Sequence, residues 1–225
     1  MGYTLIYSQV TEYIPYLLAG AWISLQIVIL AFSAGMFFGL ILASIRTFGN
    51  LTLRRTVIFY VTFFTNTPQL VQIYFLFFAL PEIGILLSPF VAVLIGMTLN
   101  AAAYMCEIQR AGFLSIRQNE LDAARTMSFS IVQQVRFVIL PHIMKVLFPP
   151  LSNHYILMTL GTSMAAIFGV EELTGRAFNI NAETFRSVEI FSITALVYII
   201  ITFIATLLLA IIGKYFFKAK IRIIQ

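Results

Sequence analysis

Charged residues are scarce in this sequence. Only 10% of its 225 residues are Asp, Glu, Lys or Arg, whereas 60% are hydrophobic. A soluble domain usually carries about 25% charged residues, so this chain lacks the polar surface that water requires. The composition therefore excludes an ordinary soluble enzyme, and its high hydrophobic content also excludes a disordered chain.

Cysteine and histidine are also rare. Cys106 is the only cysteine, which excludes an internal disulfide and a zinc site built from cysteines. The two histidines, His142 and His154, have no neighbours at metal-ligand spacing. We therefore expect no metal centre and no cofactor bound by this chain.

Long runs without any formal charge divide the chain. They cover residues 13–45, 56–81, 83–106, 146–170 and 190–213. Each run exceeds the roughly 20 apolar residues that a membrane-spanning helix needs. The pattern predicts an all-α membrane protein with one domain over residues 1–225 and five spans. The spans are expected near residues 17–45, 56–80, 85–108, 139–165 and 190–214.

The cationic residues predict the orientation of these spans. Twelve of the fourteen Lys and Arg residues follow the first, third or fifth span, and only Arg176 and Arg186 lie on the other side. Cationic loops of membrane proteins usually face the cytoplasm. We therefore expect the N-terminus outside and the C-terminus inside. Because the first sixteen residues contain no Lys or Arg, no cleavable signal sequence is expected.

Small residues recur at every fourth position of the first span. Ala31, Gly35, Gly39 and Ala43 share one helical face. Small residues at this spacing allow a second helix to approach closely within the lipid. The spacing predicts tight packing but does not identify the partner helix.

A polar, amphipathic segment on the cytoplasmic side separates spans three and four, and it is expected at roughly residues 113–137. Asn119 is predicted to cap a first short helix, with Asp122 in a capping box, and Ser130 with Gln133 repeats that pattern. A break is expected near Ser128. Two compact helices would suit the docking of a partner, and an amphipathic helix lying on the membrane surface is the alternative.

The third predicted span carries polar residues on one face. Asn100, Tyr104 and Glu107 follow one another at helical spacing. They could line a polar path, or they could form hydrogen bonds between helices. Glu107 could also form an ion pair with Arg110 one turn later.

The fourth predicted span contains consecutive prolines. Pro149 and Pro150 are expected to interrupt the helix because both lack an N–H donor. Asn153, Thr162 and Ser163 follow them and could form the wall of a translocation route. The alternative is a packed kink whose hydroxyls bond back to their own helix.

Several motifs resemble those of a known family. Asp122-Ala123-Ala124-Arg125, then Ser128, then Ile139-Leu140-Pro141, resembles the EAA loop of bacterial ABC importer permeases. Other segments, distributed over nearly the whole chain, resemble the polar amino acid uptake subfamily of histidine, arginine and glutamine permeases. These segments are Thr67–Gln72, Leu99-Asn100 with Tyr104 and Glu107-Ile108, Pro149–Leu151 with Asn153, Thr162-Ser163, Phe168–Thr174 and Thr184–Arg186.

The resemblance implies a permease subunit that moves an amino acid or a related polar compound inward across the bacterial inner membrane. It implies a second permease subunit, identical or different, a cytoplasmic ATPase dimer that uses ATP and Mg²⁺, and an extracytoplasmic binding protein. Membrane lipid surrounds such a chain, and no nucleic acid is expected. Because no Gly-x-x-x-x-Gly-Lys-Ser/Thr sequence occurs here, the chain itself is not expected to be an enzyme.

Two sets of functional residues are expected, the first from the resemblance and the second from the polar positions of the predicted spans. The set expected to couple to the ATPase comprises Glu120, Asp122, Ala123, Ala124, Arg125, Ser128 and Pro141. The set expected along the substrate path comprises Thr67, Asn100, Tyr104, Glu107, Asn153, Thr162 and Ser163.

The chain also departs from the family pattern. Asp122 stands for the usual Glu and Ser128 for the usual Gly, while Thr65-Asn66 and Leu160-Gly161 stand where relatives carry Arg and Lys. The two missing cations are compatible with an unequal heterodimer or with a homodimer of altered specificity. A self-contained secondary transporter or channel, and a membrane scaffold subunit, are the alternatives to an ABC permease.

Overall fold

The computed structural model describes residues 4–217, and within that range every regular element is a helix. The predicted all-α class is confirmed for these residues, whereas Lys218, Lys220 and Arg222 of the cationic C-terminus lie outside them. The α-helices are α1 (Ile14–Phe48), α2 (Leu51–Thr65), α3 (Gln69–Tyr74), α4 (Pro89–Leu114), α5 (Gln118–Thr126), α6 (Ile131–Gln134), α7 (Leu140–Gly161), α8 (Leu173–Thr184) and α9 (Ser187–Ile212).

Shorter helical turns extend several of these helices. Three π-helical turns follow α3, α6 and α9, at Phe75–Ala79, Val135–Ile139 and Gly213–Phe217. The 3₁₀ turns are Tyr7–Gln9, Thr11–Tyr13, Leu80–Ile83 and Thr162–Phe168.

Four continuous helical stretches of the described residues are long and apolar enough to cross a membrane. They are Tyr7–Phe48, Pro89–Leu114, Ile131–Phe168 and Ser187–Phe217, and a shorter apolar helix covers Gln69–Ile83. The four stretches overlap the first, third, fourth and fifth predicted spans. The count of five spans stays a prediction.

The second predicted span is not one helix. Its expected range, 56–80, contains the end of α2 at Thr65 and the start of α3 at Gln69. Pro68 causes the break because it has no N–H to donate and disfavours helical geometry at the preceding residue. The range predicted for the second span is therefore shared between two helices, and the span itself stays a prediction.

The predicted interruption at the consecutive prolines was wrong. α7 continues through Pro149 and Pro150 to Gly161. Each proline removes one backbone donor, which leaves a carbonyl one turn earlier without its helical partner. Membrane helices tolerate this loss because neighbouring groups and small local adjustments supply other partners.

The described chain forms two compact units. The first contains residues 4–33, 67–99 and 156–204, and the second contains residues 34–66, 100–155 and 205–217. In the first unit, α8 packs its apolar face against the beginnings of α1 and α9. The buried side chains of this core include Leu17, Ala21, Leu173, Ala177 and Ile190.

The second unit contains the close helix contact that the small residues predict. A Cβ added at Gly35 would lie 2.7 Å from the Cβ of Ala101, and one added at Gly39 would lie 2.7 Å from the Cβ of Met105. Real Cβ atoms do not approach each other so closely. The tight packing is confirmed at these two glycines, and the structure identifies the partner helix as α4.

Replacing Gly39 by alanine should therefore destabilise the chain. The new methyl group would also approach the backbone nitrogen of Cys106 to 3.1 Å, so α1 and α4 must separate. Overpacking of this kind costs about 1–3 kcal/mol. The expected result is a lower thermal unfolding midpoint of the purified protein in detergent.

Gly161→Ala is the matched control. A Cβ at Gly161 has no neighbour closer than the Met164 Cε at 3.8 Å, so this variant should unfold at or slightly above the wild-type temperature. Equal midpoints for Gly39→Ala and Gly161→Ala would contradict the close contact.

Candidate functional site

Two side chains of α4 donate hydrogen bonds to backbone carbonyls at the end of α2. The carbonyl of Phe64 would accept a helical hydrogen bond from residue 68, but Pro68 has no N–H. Asn100 donates its Nδ2 to that carbonyl at 3.1 Å, and the Tyr104 hydroxyl donates to the carbonyl of Thr65 at 3.4 Å. Of the two alternatives left open by the sequence, the structure shows hydrogen bonding between helices for both residues.

Glu107 lies between two guanidinium groups. One Glu107 oxygen accepts from Arg46 at the end of α1, and the other accepts from Arg110 at 3.3 Å. The predicted pair with Arg110 is present. Sequence reasoning missed Arg46, although the position of Arg46 at the end of a charge-free run was a signal.

An aromatic contact joins α4 to α7 in the second unit. The rings of Tyr104 and His154 lie 5.5 Å apart between centroids, inclined by 34°. The Nε2 of His154 is buried without a hydrogen-bond partner among residues 4–217, and the neighbouring Asn153 is exposed. The structure thus brings Tyr104 together with a histidine that the sequence analysis considered only as a metal ligand.

The other predicted path residues belong to the first unit. Thr67 accepts a hydrogen bond on its hydroxyl oxygen from the Gln72 amide at 2.7 Å. Thr162 and Ser163 donate to the carbonyls of Thr159 and Leu160 at 2.7 and 2.8 Å. The hydroxyls of Thr162 and Ser163 therefore bond back to their own helix. This arrangement is the sequence-based alternative to the wall of a translocation route.

The segment expected to couple to an ATPase covers residues 113–137 and is called the coupling segment below. Its first helix starts differently from its prediction. α5 begins at Gln118, so Asn119 lies inside it, and the preceding residue makes no side-chain cap. Asp122 accepts instead from Gln118 at 3.0 Å and Arg125 at 3.2 Å. Because α5 begins at Gln118, Asp122 is its fifth residue and not the third, which is the position that a capping box uses.

The second helix of the coupling segment starts as predicted. Ser130 accepts from the Gln133 backbone at 3.3 Å, and the Gln133 side chain accepts from the Ser130 backbone at 2.8 Å, which completes a capping box. Between the helices, Ser128 has a φ of 59°. L-residues with a Cβ disfavour this left-handed geometry, which explains why glycine suits the position.

Burial separates the two alanines of the EAA-like motif. Ala124 is fully buried, whereas Ala123 is exposed. Apolar side chains nearby are also exposed, namely Met127 by 61%, Ile131 by 79% and Val132 by 74%. The coupling segment therefore presents Ala123, and not Ala124, at its surface.

His142 anchors the coupling segment to α7. Its Nε2 lies 3.1 Å from the Ser115 carbonyl, just after α4, and its Nδ1 lies 3.4 Å from the Glu120 carboxylate on α5. It follows Pro141 at the start of α7. Sequence reasoning missed this contact because nothing local relates His142 to a residue 22 positions earlier.

The first unit contains a buried carboxylate outside the candidate spans. Glu172 is fully buried at the N-terminus of α8. It accepts from the Gly175 backbone and from the hydroxyls of Ser24 and Tyr198, at 2.9, 2.9 and 3.0 Å respectively. Burial raises the pKa of Glu172, and these hydrogen bonds offset part of the rise. The carboxyl thus joins α8 to α1 and α9.

Replacing Asn100 by leucine should destabilise the chain, because the Phe64 carbonyl would lose the hydrogen bond that the Asn100 amide donates. The loss of one intramolecular hydrogen bond typically costs about 0.5–1.5 kcal/mol. The thermal unfolding midpoint should fall, whereas Asn153→Leu, at an exposed amide, should leave it unchanged. An Asn100→Leu chain with wild-type stability but reduced uptake would assign Asn100 to the substrate path instead.

Glu172→Gln should change how stability depends on pH. Because the pKa of Glu172 is raised in the folded chain, the stabilisation from its proton is complete below the ordinary pKa of about 4.3. It is lost as the pH rises through the raised value. The midpoint of Glu172→Gln relative to wild type should therefore increase with pH.

Glu171→Gln is the control for this pH series, since Glu171 is exposed and the variant removes the same formal charge. A difference between wild type and Glu172→Gln that stays constant with pH would contradict the raised pKa.

Comparison with known proteins identifies the family. Residues 35–218 match the family described as binding-protein-dependent transport system inner membrane component. The glutamine transport system permease protein GlnP of Escherichia coli K12 is 34% identical over 205 residues, which cover 90% of this chain and 94% of GlnP. The probable amino-acid ABC transporter permease protein YckA of Bacillus subtilis is 34% identical over 203 residues, which cover 90% of each chain.

A solved structure shows the same fold. A chain from the crystal structure of an amino acid ABC transporter with histidines superposes with a TM-score of 0.87 at 26% identity, covering 94% of this chain and 99% of that one. Together, the sequence matches and the shared fold show that this chain belongs to the family of binding-protein-dependent transport system inner membrane components.

Proposed function

We propose that this chain is the permease subunit of an ATP-driven importer that carries an amino acid or a related polar compound inward across the bacterial inner membrane. The coupling segment is the observation that carries this proposal. It contains two short helices between α4 and α7, it is anchored internally, and its outer surface is exposed. A transport subunit that takes energy from a separate ATPase needs such a surface.

The physical character of that surface supports docking. Ala123 offers a small side chain that another protein can approach closely, and Met127, Ile131 and Val132 provide exposed apolar area beside it. Exposed apolar groups that cluster in this way commonly mark interaction sites. Ala124 is buried, so we assign it to the packing of α5 and not to docking.

The contacts of the anchor add to this argument. His142 holds Glu120 of α5 to α7, and α7 is part of a stretch long enough to span the membrane. A displacement of α5 by an ATPase would therefore act on α7 through a direct side-chain contact. We infer that the coupling residues Glu120, Asp122, Ala123, Arg125 and Ser128 transmit motion in this way.

The polar groups of the second unit support a polar solute. Glu107, Arg46 and Arg110 supply one carboxylate and two cations, and Tyr104 with His154 adds a phenol and an imidazole. An amino acid carries a carboxylate and an ammonium group, which such residues can recognise by charge-assisted hydrogen bonds. Tyr104, Glu107 and Asn153 remain our candidates for the path, with His154 added to them.

The remaining partners follow from the family. We propose that the chain pairs with a second permease subunit and receives its solute from an extracytoplasmic binding protein. The distribution of cationic residues supports an outer N-terminus and a cytoplasmic C-terminus. Either an identical or a different second subunit is compatible with Thr65 and Leu160 at the positions where the family pattern has cations.

Ala123→Arg should reduce ATP-driven uptake by roughly tenfold or more, the loss expected when a central contact of an interface is blocked. The side chain is exposed, so the chain should keep its wild-type thermal midpoint. Uptake into proteoliposomes and the amount of ATPase that co-purifies should fall together.

Ala182→Arg provides the control, because it places the same side chain at an exposed position of α8. This variant should retain uptake and ATPase binding. Normal transport by a stably folded Ala123→Arg complex would refute the docking role of the coupling segment.

A further inference from the structure

A groove in the second unit combines apolar walls with a cation. It lies between the start of α7 and the π-helical turn Gly213–Phe217, and its volume is about 510 Å³. Leu140, Met144, Lys145 and Phe216 are among the lining residues. The rings of Phe148 and Phe217 contact each other with centroids 4.8 Å apart, which holds the π-helical turn against α7 beside the groove.

Lys145 supplies the positive charge of this groove. Its side chain is exposed, and it forms no ion pair with any residue in the range 4–217. His142 also lines the groove, but both of its ring nitrogens face acceptors, on Ser115 and Glu120. The Lys145 ammonium is thus the cation that an anionic ligand in the groove would meet.

The position of the groove indicates what occupies it. Ser187–Phe217 is the most apolar of the candidate spans, and its charge-free run ends at residue 213, directly before Lys214. Lys218, Lys220 and Arg222 follow in the sequence. The groove therefore lies where a hydrophobic span ends and a cationic sequence begins.

The other wall of the groove, formed by the start of α7, also belongs to a stretch that is longer than the membrane is thick. Ile131–Phe168 contains 38 residues, far more than the roughly 20 that cross the hydrocarbon core. Its first turns, including those near Lys145, can therefore extend to the depth of the lipid headgroups. Phospholipids place a phosphate and the beginnings of two acyl chains at this depth.

We propose that this groove binds one anionic phospholipid. The phosphate contacts the Lys145 ammonium, and an acyl chain lies along Leu140, Met144 and Phe216. A free phosphate ion would leave the apolar walls without a contact. A zwitterionic lipid would bring its own cation close to Lys145, and basic pockets beside membrane helices accordingly favour anionic headgroups.

Native mass spectrometry of the full-length chain, together with the subunits that co-purify, tests whether the groove prefers an anionic lipid because of Lys145. Phosphatidylglycerol should be retained more strongly than phosphatidylcholine with the same acyl chains. Lys145→Gln should lower phosphatidylglycerol retention about fivefold, the effect expected for one basic side chain near the headgroups. Lys145→Arg should preserve retention, and so should Arg55→Gln, which removes an exposed charge outside the groove.

A second pair of variants tests the apolar wall. Phe216 is 78% exposed and lines the groove, whereas Phe59 is 74% exposed on α2 and does not line it. Phe216→Ala should weaken retention of phosphatidylglycerol, and Phe59→Ala should not. Both variants replace surface side chains, so wild-type thermal midpoints should confirm that they fold.

Three results would overturn the proposal. Equal effects of Lys145→Gln and Arg55→Gln would mean that lipids only surround the chain without a site. Displacement of the lipid by excess inorganic phosphate would indicate a simple ion site. Loss of a co-purifying protein from Lys145→Gln, with lipid retention unchanged, would assign the groove to a protein partner.

Discussion

Every backbone N–H and C=O group that is buried in the membrane needs a hydrogen-bond partner, and the rest of this structure depends on that requirement. Within lipid no bulk water is available to a free carbonyl, so a break in a membrane helix is tolerated where neighbouring groups supply other donors. Pro68 creates such a break after α2, and Asn100 and Tyr104 of α4 supply the donors. Polar side chains in the middle of an apolar helix thereby serve the fold before they can serve a solute.

α4 combines several roles on its different faces. Ala101 and Met105 contact the glycines of α1, while Tyr104 reaches α2 and Glu107 reaches the end of α1. Because these contacts together determine the rotation of one helix, a substitution on any face can disturb the others. Transport measurements on α4 variants therefore need a stability measurement on the same protein.

Local contacts stabilise one helix of the coupling segment, and tertiary contacts stabilise the other. Its second helix is started by a capping box that residues 130–133 supply by themselves. Its first helix lacks such a cap and depends on more distant contacts, since Ala124 is buried and Glu120 is held by His142 of α7. The segment is thus compact in itself and also attached to a helix long enough to span the membrane, which suits the docking role proposed for it.

Composition and short-range spacing determined much of this protein. The scarcity of charge predicted the helical membrane class, the charge-free runs predicted the long helices, and Gly35 and Gly39 predicted a close helix contact. Such features are readable because hydrophobicity, capping and residue size act over one or two helical turns. The motifs indicated the family for the same reason, since they are short and consecutive.

Only the tertiary structure decided which distant groups meet. It showed that α4 packs on the glycines of α1, that Asn100 bonds to the end of α2, and that Ala124 faces inward while Ala123 faces outward. It also corrected the prediction at Pro149 and Pro150, through which α7 continues, and it showed that Asn100 and Tyr104 are the partners of the carbonyls before Pro68. Those partners lie tens of residues away in the chain, and only folding brings them into contact.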